Sequence, residues 1–386
     1  MTATIGNLPW EDVLAQARGL DGRGGAPVPR DAAALSDLAV SGPAEIVAVT
    51  RELARETGSA LMSSGGTTGK PKLTYVPYHQ AVERVLREWR PLRPDNVLLN
   101  LFNPGRLWAS HYYIHALAER SRCTVLPSGA YAPEDVGNWV PMFREIGLDA
   151  LTGTPSALAD FAEGLIAANE TLPIRTIIWL AEPWTDAKHR VVQKAFPEAE
   201  YWANYGSVET YIIATNTPAC DLQTLHVMPD QMLELEEEGA LLTRRGTGWT
   251  MPAVRYRLGD RLASAECRCG RPDGLRVLGR ADDAVSLRSA LFSVGEVVSS
   301  ARTLPGVEEA QLVLTRDTES PRAATALTLE YSGGADAEDV LAHLIAQFYH
   351  LAAVHRQVPG AITARRVDKV SRVERTNKVP PAIWRQ

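Results

Sequence analysis

Cysteine is scarce in this chain. Its 386 residues carry four, Cys123, Cys220, Cys267 and Cys269, too few and too irregularly spaced for a disulfide framework. Net charge is scarce as well: 40 lysines and arginines against 46 aspartates and glutamates leave a formal −6, with the signs interspersed. That balance excludes a nucleic-acid footprint and a polybasic membrane patch. No uninterrupted apolar run approaches the roughly 20 residues a bilayer span needs, so no membrane partner is expected. The opening "MTATIGNLPWEDVLAQARGL" has neither a basic n-region nor an apolar h-region, and a cytoplasmic location is the expectation. No internal repeat or low-complexity tract is present. What the chain does have is 45% hydrophobic residues, enough to bury a large core and divide into two or three folding units. With so little net charge, any anionic ligand has to be met locally.

The N-terminal region mixes an amphipathic start, a Gly/Pro stretch "GLDGRGGAPVPRDA" that reads as a loop, and "PAEIVAVTRELARETG", whose apolar spacing predicts a helix. From about residue 97, short apolar runs alternate with helical periods: "NVLLNLF", "CTVLPSG", "DALTGTP" then "SALADFAEGLIAAN", and "RTIIWLAE" then "DAKHRVVQKAF". Strand-then-helix alternation predicts an α/β core of mostly parallel sheets covered by helices. The texture changes after "GRADD". There "GVEEAQLVLTRD", "ATALTLEYSGG" and "GAITARRVDKV" read as strands and "DAEDVLAHLIAQFYHLAA" as one strong helix. We expect a large domain over residues 1–280 and a small α+β domain over 281–386.

The stretch "LMSSGGTTGKPKLTYVPYHQ" is built to hold something. Gly65, Gly66 and Gly69 let the backbone fold tightly enough for successive N–H groups to point into one concavity. Ser63, Ser64, Thr67 and Thr68 add hydroxyl donors, and Lys70 and Lys72 add positive charge. Such a nest suits phosphate oxygens. It fails the P-loop pattern, because Ser64 stands where the first glycine belongs and Pro71 follows Lys70, which favours an extended exit into a strand through "KLTYV". Taken alone, a mobile polar surface loop has the same composition.

Four further segments follow in order. "SSGGTTGKPK" resembles the phosphate loop of the adenylate-forming superfamily, which includes acyl-CoA synthetases, peptide-synthetase adenylation domains and luciferases. "YGSVET" (205–210) resembles its Tyr-Gly-x-Thr-Glu motif, "YRLGD" (256–260) its Tyr-Arg-Thr-Gly-Asp motif, "GRADD" (279–283) its hinge, and "VERTNKVP" its C-terminal lysine motif. Within that superfamily "GTPSALADFAE", "AEPW" and "CRCGRPDGLRVLGRADD" are most similar to phenylacetate-CoA ligases, a branch that activates aryl acids. The resemblance covers roughly residues 58–386, and five ordered motifs are far more specific than any one alone.

The resemblance implies ATP and Mg2+ as cofactors and assigns roles. The 63–72 loop would cradle the β- and γ-phosphates. Glu209 would hold Mg2+, a hard carboxylate for a hard cation, and Thr210 would donate to the α-phosphate. Asp260 would accept from both ribose hydroxyls, while Ala181, Glu182 and Pro183, with Tyr205 and Gly206, would frame the adenine. Lys378 would place positive charge where negative charge gathers in the adenylation transition state, Asp282 would be the pivot of a domain swing, and Arg280 would touch the nucleotide from the hinge side. After the hinge the chain reads "LRSALFSVGEV", with Ser289 where the family carries a glycine that lines the thiol's entry.

"NPGRLWASHYYIHAL" corresponds to the segment lining the acyl pocket, so Trp108, His111, Tyr112 and His115 are candidates to contact a flat ring, and an aromatic carboxylic acid is the expected substrate. A plain amphipathic helix would present the same aromatics to a core. His111 and His115 have the i, i+4 spacing of a metal pair but no third ligand, and Cys267 with Cys269 is half a site, so zinc is not expected at either. Three readings result. The first is activation of an aryl acid as acyl-AMP with transfer to a thiol, either coenzyme A or a carrier-protein phosphopantetheine, the carrier being favoured by Ser289. The second is the same activation with transfer to an amine or a protein side chain. The third is a non-catalytic nucleotide- or adenylate-binding module.

Overall fold

Four apolar runs set the centre of the molecule. Val97–Asn100, Thr124–Pro127, Ala150–Gly153 and Thr176–Trp179 are short and rich in β-branched and leucine side chains, and the last two are buried along their whole length, as strands covered on both faces must be. In the computed structural model, which describes residues 3–21, 25–63, 73–288, 290–317 and 323–385, these runs pair in parallel. Strand Glu200–Ser207 joins them in parallel beside Thr176–Trp179.

Beyond it the sheet turns antiparallel through Tyr211–Asn216, Leu225–Val227 and Gly274–Arg280, and ends on Asp260–Ser264. Nine strands thus form one sheet among the described residues. The expected α/β class is what the chain adopts.

The helices follow from local signals. Pro155–Ala167 has proline in its first turn, and Thr154 caps it by accepting from the Ala157 N–H at 3.1 Å. Its neighbour Pro133–Glu145 also starts on proline. The two lie so close that a Cβ on Gly164 would stand 2.4 Å from the Pro133 carbonyl oxygen. A smaller antiparallel sheet of Thr4–Ile5, Gln231–Glu234, Leu241–Arg244 and Tyr256–Arg257 carries the "YRLGD" segment. A hairpin of Ser59–Ser63 and Leu73–Pro77 brackets the phosphate-loop segment.

Two compact units are present. One runs to Trp184 and again from Arg190 to Val277; the other runs from Leu278 onward and takes in Thr185–His189. Within the second, the strand pair Val307–Arg316 and Ala323–Gly333 is the centre of a sheet that adds Ala284–Leu287, Ala290–Ser293, Ile362–Arg366 and Ala382–Arg385. Its own core gathers Leu312, Leu314, Leu327, Leu329, Val297 and Leu344. The one long helix expected there is two, Ala337–Gln347 and Tyr349–Gln357, broken at Phe348. Phe348 adopts φ −119° and ψ 95°, and its ring packs on the core, so burying the aromatic overrides the helical propensity of the flanking residues.

Candidate active site

In a parallel sheet the strands point their carboxyl ends to one edge, where ligands bind in α/β folds. Several of the described candidates of the first unit stand at or beyond such ends. Asn100 leads to the segment of Trp108 and His111, Trp179 leads to Ala181 and Glu182, and Glu200–Ser207 carries Tyr205 and Gly206 and leads to Glu209 and Thr210.

The link between two motifs is direct. The Tyr205 hydroxyl donates to Asp260 Oδ2 at 2.8 Å, so the "YGSVET" and "YRLGD" segments meet. They meet a second time where the Tyr256 hydroxyl donates to Glu209 Oε1 at 3.0 Å, while Thr250 Oγ1 donates to the Glu209 carbonyl at 2.9 Å. Glu209 lies in the tight turn between Glu200–Ser207 and Tyr211–Asn216, not at a helix start.

Thr210 is buried and closes that turn: Ser207 N donates to Thr210 Oγ1 at 3.1 Å and Thr210 N to Ser207 Oγ at 3.1 Å. Gly206 has no alternative here. A Cβ at that position would sit 1.5 Å from the Tyr211 carbonyl oxygen, in a register shift of the two strands, so only glycine permits the approach.

Ala181 has φ 74°, a left-handed conformation unusual for alanine, at the turn after Thr176–Trp179. The Glu182 side chain is committed elsewhere: Oε2 accepts from Ser156 N at 3.0 Å and Oε1 from Ser156 Oγ at 2.8 Å, in the first turn of Pro155–Ala167. An acid at a helix N-terminus satisfies otherwise orphaned donors. Any contact this segment makes to a base therefore falls to its backbone and to the faces of its neighbours.

The four acid-pocket candidates separate in the structure. Trp108 is 4% exposed and packs edge-on against Phe102, and Tyr112 is 40% exposed. His111 and His115 face each other on the helix Ala109–Ser121 with ring centroids 4.6 Å apart. His111 Nδ1 donates to the Phe102 carbonyl at 2.6 Å, and His115 Nε2 is buried with no hydrogen-bond partner among the described residues. Burial pushes both imidazoles below the ordinary histidine range, His115 further by the neighbouring His111, so both are held neutral.

Ser63 ends its strand buried, its N–H donating to the Leu107 carbonyl at 2.8 Å, which ties the end of that strand to the Trp108 segment. Ser64, Gly65, Gly66, Thr67, Thr68, Gly69, Lys70 and Lys72 lie outside the described residues, as does Ser289.

Behind the Glu209 turn stands a residue that sequence reasoning did not single out. Arg244, wholly buried, donates from Nη2 to the carbonyls of Thr210 and Ile212 and from Nε to Gln231 Oε1 at 2.9 Å, and its guanidinium lies 4.6 Å from the Trp249 ring. It holds the far side of the Glu209–Thr210 turn. Burial, with Arg84 nearby, pushes its pKa down to about 9, so it stays charged at neutral pH. The available signal was an arginine ending the apolar run "ALLTR".

In the second unit, Arg280 Nε donates to Asp282 Oδ1 at 3.0 Å, pairing the two hinge candidates. Lys378 closes a tight loop in which Val373 N donates to its carbonyl at 2.9 Å and Asn377 takes φ 54°.

At the carboxyl edge of the α/β sheet, then, stand a tyrosine-held carboxylate and a second carboxylate in a glycine-dependent turn. The chain belongs to the AMP-binding enzyme family, whose model matches residues 21–274. It is 28% identical over 263 residues to the phenylacetate-coenzyme A ligase of Pseudomonas putida, covering 59% of this chain and 56% of that one. To the indoleacetate–lysine synthetase of Pseudomonas savastanoi it is 23% identical over 204 residues, covering 51% of each. The chain therefore spans about half the length of these curated relatives. Its fold matches that of a 2-hydroxyisobutyryl-CoA ligase solved in the postadenylation state with 2-HIB-AMP, at TM-score 0.64 and 17% identity over 98% of this chain and 86% of that one. It also matches ATP-bound MatB from Rhodopseudomonas palustris, at TM-score 0.56 and 17% identity over 84% and 66%.

Proposed function

We propose that this protein activates an aromatic carboxylic acid with ATP and hands the acyl group to a thiol. The observation that carries the reading is the pair of tyrosine–carboxylate contacts, Tyr205 to Asp260 and Tyr256 to Glu209, at the carboxyl edge of the sheet. Each tyrosine holds a carboxylate in one orientation and leaves it acceptor capacity for a ligand. Asp260 then accepts from the vicinal ribose hydroxyls of ATP. Glu209, a hard donor, suits Mg2+, which when bound neutralises phosphate charge.

The substrate carboxylate oxygen attacks the α-phosphorus, a C–O–P bond forms, and the bond to the β-phosphate oxygen breaks, releasing pyrophosphate. Lys378 supplies positive charge to that transition state. The thiol sulfur then attacks the acyl carbon and AMP leaves. In this reading the helix Ala109–Ser121 lines the acid pocket, and its two neutral imidazoles, His111 and His115, suit a flat uncharged ring better than an aliphatic polyacid. The two aryl-acetate names among the curated relatives support the same class.

The second reading keeps the activation and makes the acceptor an amine, supported by the relative named indoleacetate–lysine synthetase. Pyrophosphate release across a panel of aryl and aliphatic acids tests the first step, and product mass with coenzyme A, a carrier protein or free amines identifies the acceptor. Release with no acid of the panel removes the reading.

A further inference from the structure

We infer that the first unit holds a structural zinc ion on Cys220, His226, Cys267 and Cys269. Sequence spacing left Cys267 and Cys269 as half a site. The fold brings up the other half: Leu225–Val227 pairs antiparallel with Gly274–Arg280, which sets His226 opposite Gly274 just past the Cys267–Cys269 turn, and the 217–224 turn folds back onto the same place through the Arg268 N–H bond to Asp221 Oδ2. One donor atom from each of the four residues lies within 4.8 Å of every other.

The distances are those of a tetrahedron in the making. With Zn–S of about 2.3 Å, a regular tetrahedron has ligand–ligand edges of about 3.8 Å. Cys220 Sγ and Cys269 Sγ stand 3.7 Å apart, and Cys269 Sγ and His226 Nε2 3.3 Å apart. The imidazole is already oriented: Nδ1–H donates to the Pro272 carbonyl at 2.7 Å, which places the Nε2 lone pair toward the thiols, as in metal-ligating histidines. The Asp221 N–H donates to Cys267 Sγ at 3.2 Å, a contact that stabilises a thiolate. Arg268 ties the same two turns together, its N–H donating to Asp221 Oδ2 at 3.1 Å and its guanidinium to the Pro218 carbonyl at 3.1 Å.

Three soft sulfurs and one imidazole select zinc over Mg2+ or Ca2+. Four protein ligands fill the coordination sphere, which makes the site structural, with no open position for a reacting water. Cys220 and His226 are 2% and 1% exposed, so the ion is shielded from solvent on that side. Its effect is to clamp the 217–224 and 265–273 turns, and with them the start of Gly274–Arg280. This inference is independent of the acyl-activating reading.

The test is metal content by plasma mass spectrometry on untagged full-length protein from zinc-supplied cells. The expected result is about one zinc per chain. Cys220→Ser and His226→Gln should each cut it at least tenfold. Reduced, metal-free wild type titrated with Co2+ alone should develop the thiolate-to-cobalt charge-transfer band, and this readout stands even where a variant fails to fold. Zinc below a tenth of an equivalent with no cobalt band overturns the inference. So does zinc retained in full by folded variants, or a Cys220–Cys269 disulfide in protein purified without reductant.

Discussion

The Tyr205 hydroxyl donates to Asp260 Oδ2 at 2.8 Å across a separation of 55 residues, and this bond joins the "YGSVET" and "YRLGD" segments of the first unit. If Asp260 accepts from the ribose, Asp260→Ala should weaken ATP binding by roughly 1.5 to 3 kcal/mol, the scale of hydrogen bonds to a charged group. Tyr205→Phe leaves the carboxylate in place but less well held, and a smaller loss of about 0.5 to 1.5 kcal/mol is expected. Isothermal calorimetry checks both. Unchanged affinity in Asp260→Ala would remove that residue from the nucleotide site.

Glu209 is the candidate metal contact, and Tyr256 holds one of its oxygens. Glu209→Gln should raise the Mg2+ concentration needed for half-maximal pyrophosphate release, because an amide is a poorer ligand for a hard cation. Tyr256→Phe should shift it in the same direction and by less. A Mg2+ titration of each variant measures this; identical curves would assign Glu209 to structure alone.

Gly206 tests the turn itself. A methyl group there meets the Tyr211 carbonyl at 1.5 Å, so Gly206→Ala has to displace backbone. The expected cost is about 3 to 5 kcal/mol, or failure to fold. Urea denaturation with an unchanged midpoint would show that the strands can part at no cost.

Much of this architecture is legible in the sequence, and the reasons are local. Thr176–Trp179 and Ala150–Gly153 stand out because a strand buried on both faces is an unbroken apolar run. Thr154 and Pro155 mark a helix start by residue type alone, a capping hydroxyl followed by a ring that fixes the first helical φ. What stays hidden depends on distant partners. Nothing near Phe348 says that its ring will leave the helix for the core. Nothing in "AEPW" says that Glu182 will bond Ser156. Cys220 and His226 join Cys267 and Cys269 only because the sheet places strands from separate parts of the chain side by side, an order that spacing does not encode.

The His111–His115 pair predicts a pH dependence. Burial lowers both pKa values in the folded state, so the unfolded chain binds protons first as pH falls. Stability is fully present above the unfolded value of about 6.5 and declines as pH drops below it toward the folded values. His115→Gln should flatten part of that decline. Thermal melts of wild type and variant from about pH 7.5 to 5.5 measure the difference; parallel curves would mean that His115 titrates alike folded and unfolded.

In the proposed reaction acyl-adenylate formation is the central step, and the role proposed for Lys378 distinguishes it from the transfer that follows. Lys378→Ala should slow adenylation by about 10² to 10³, the scale for one transition-state charge contact, while sparing thioester formation from a supplied acyl-adenylate. Equal losses in both steps would contradict that role.

The most direct measurement is ATP–pyrophosphate exchange by the wild-type protein across a panel of aryl acids. The expected result is exchange that appears only when an acid is added, is strongest with an aromatic one, and nearly vanishes in Lys378→Ala. ATP binding with no acid-dependent exchange, in the presence or absence of coenzyme A, carrier protein and amines, would contradict it.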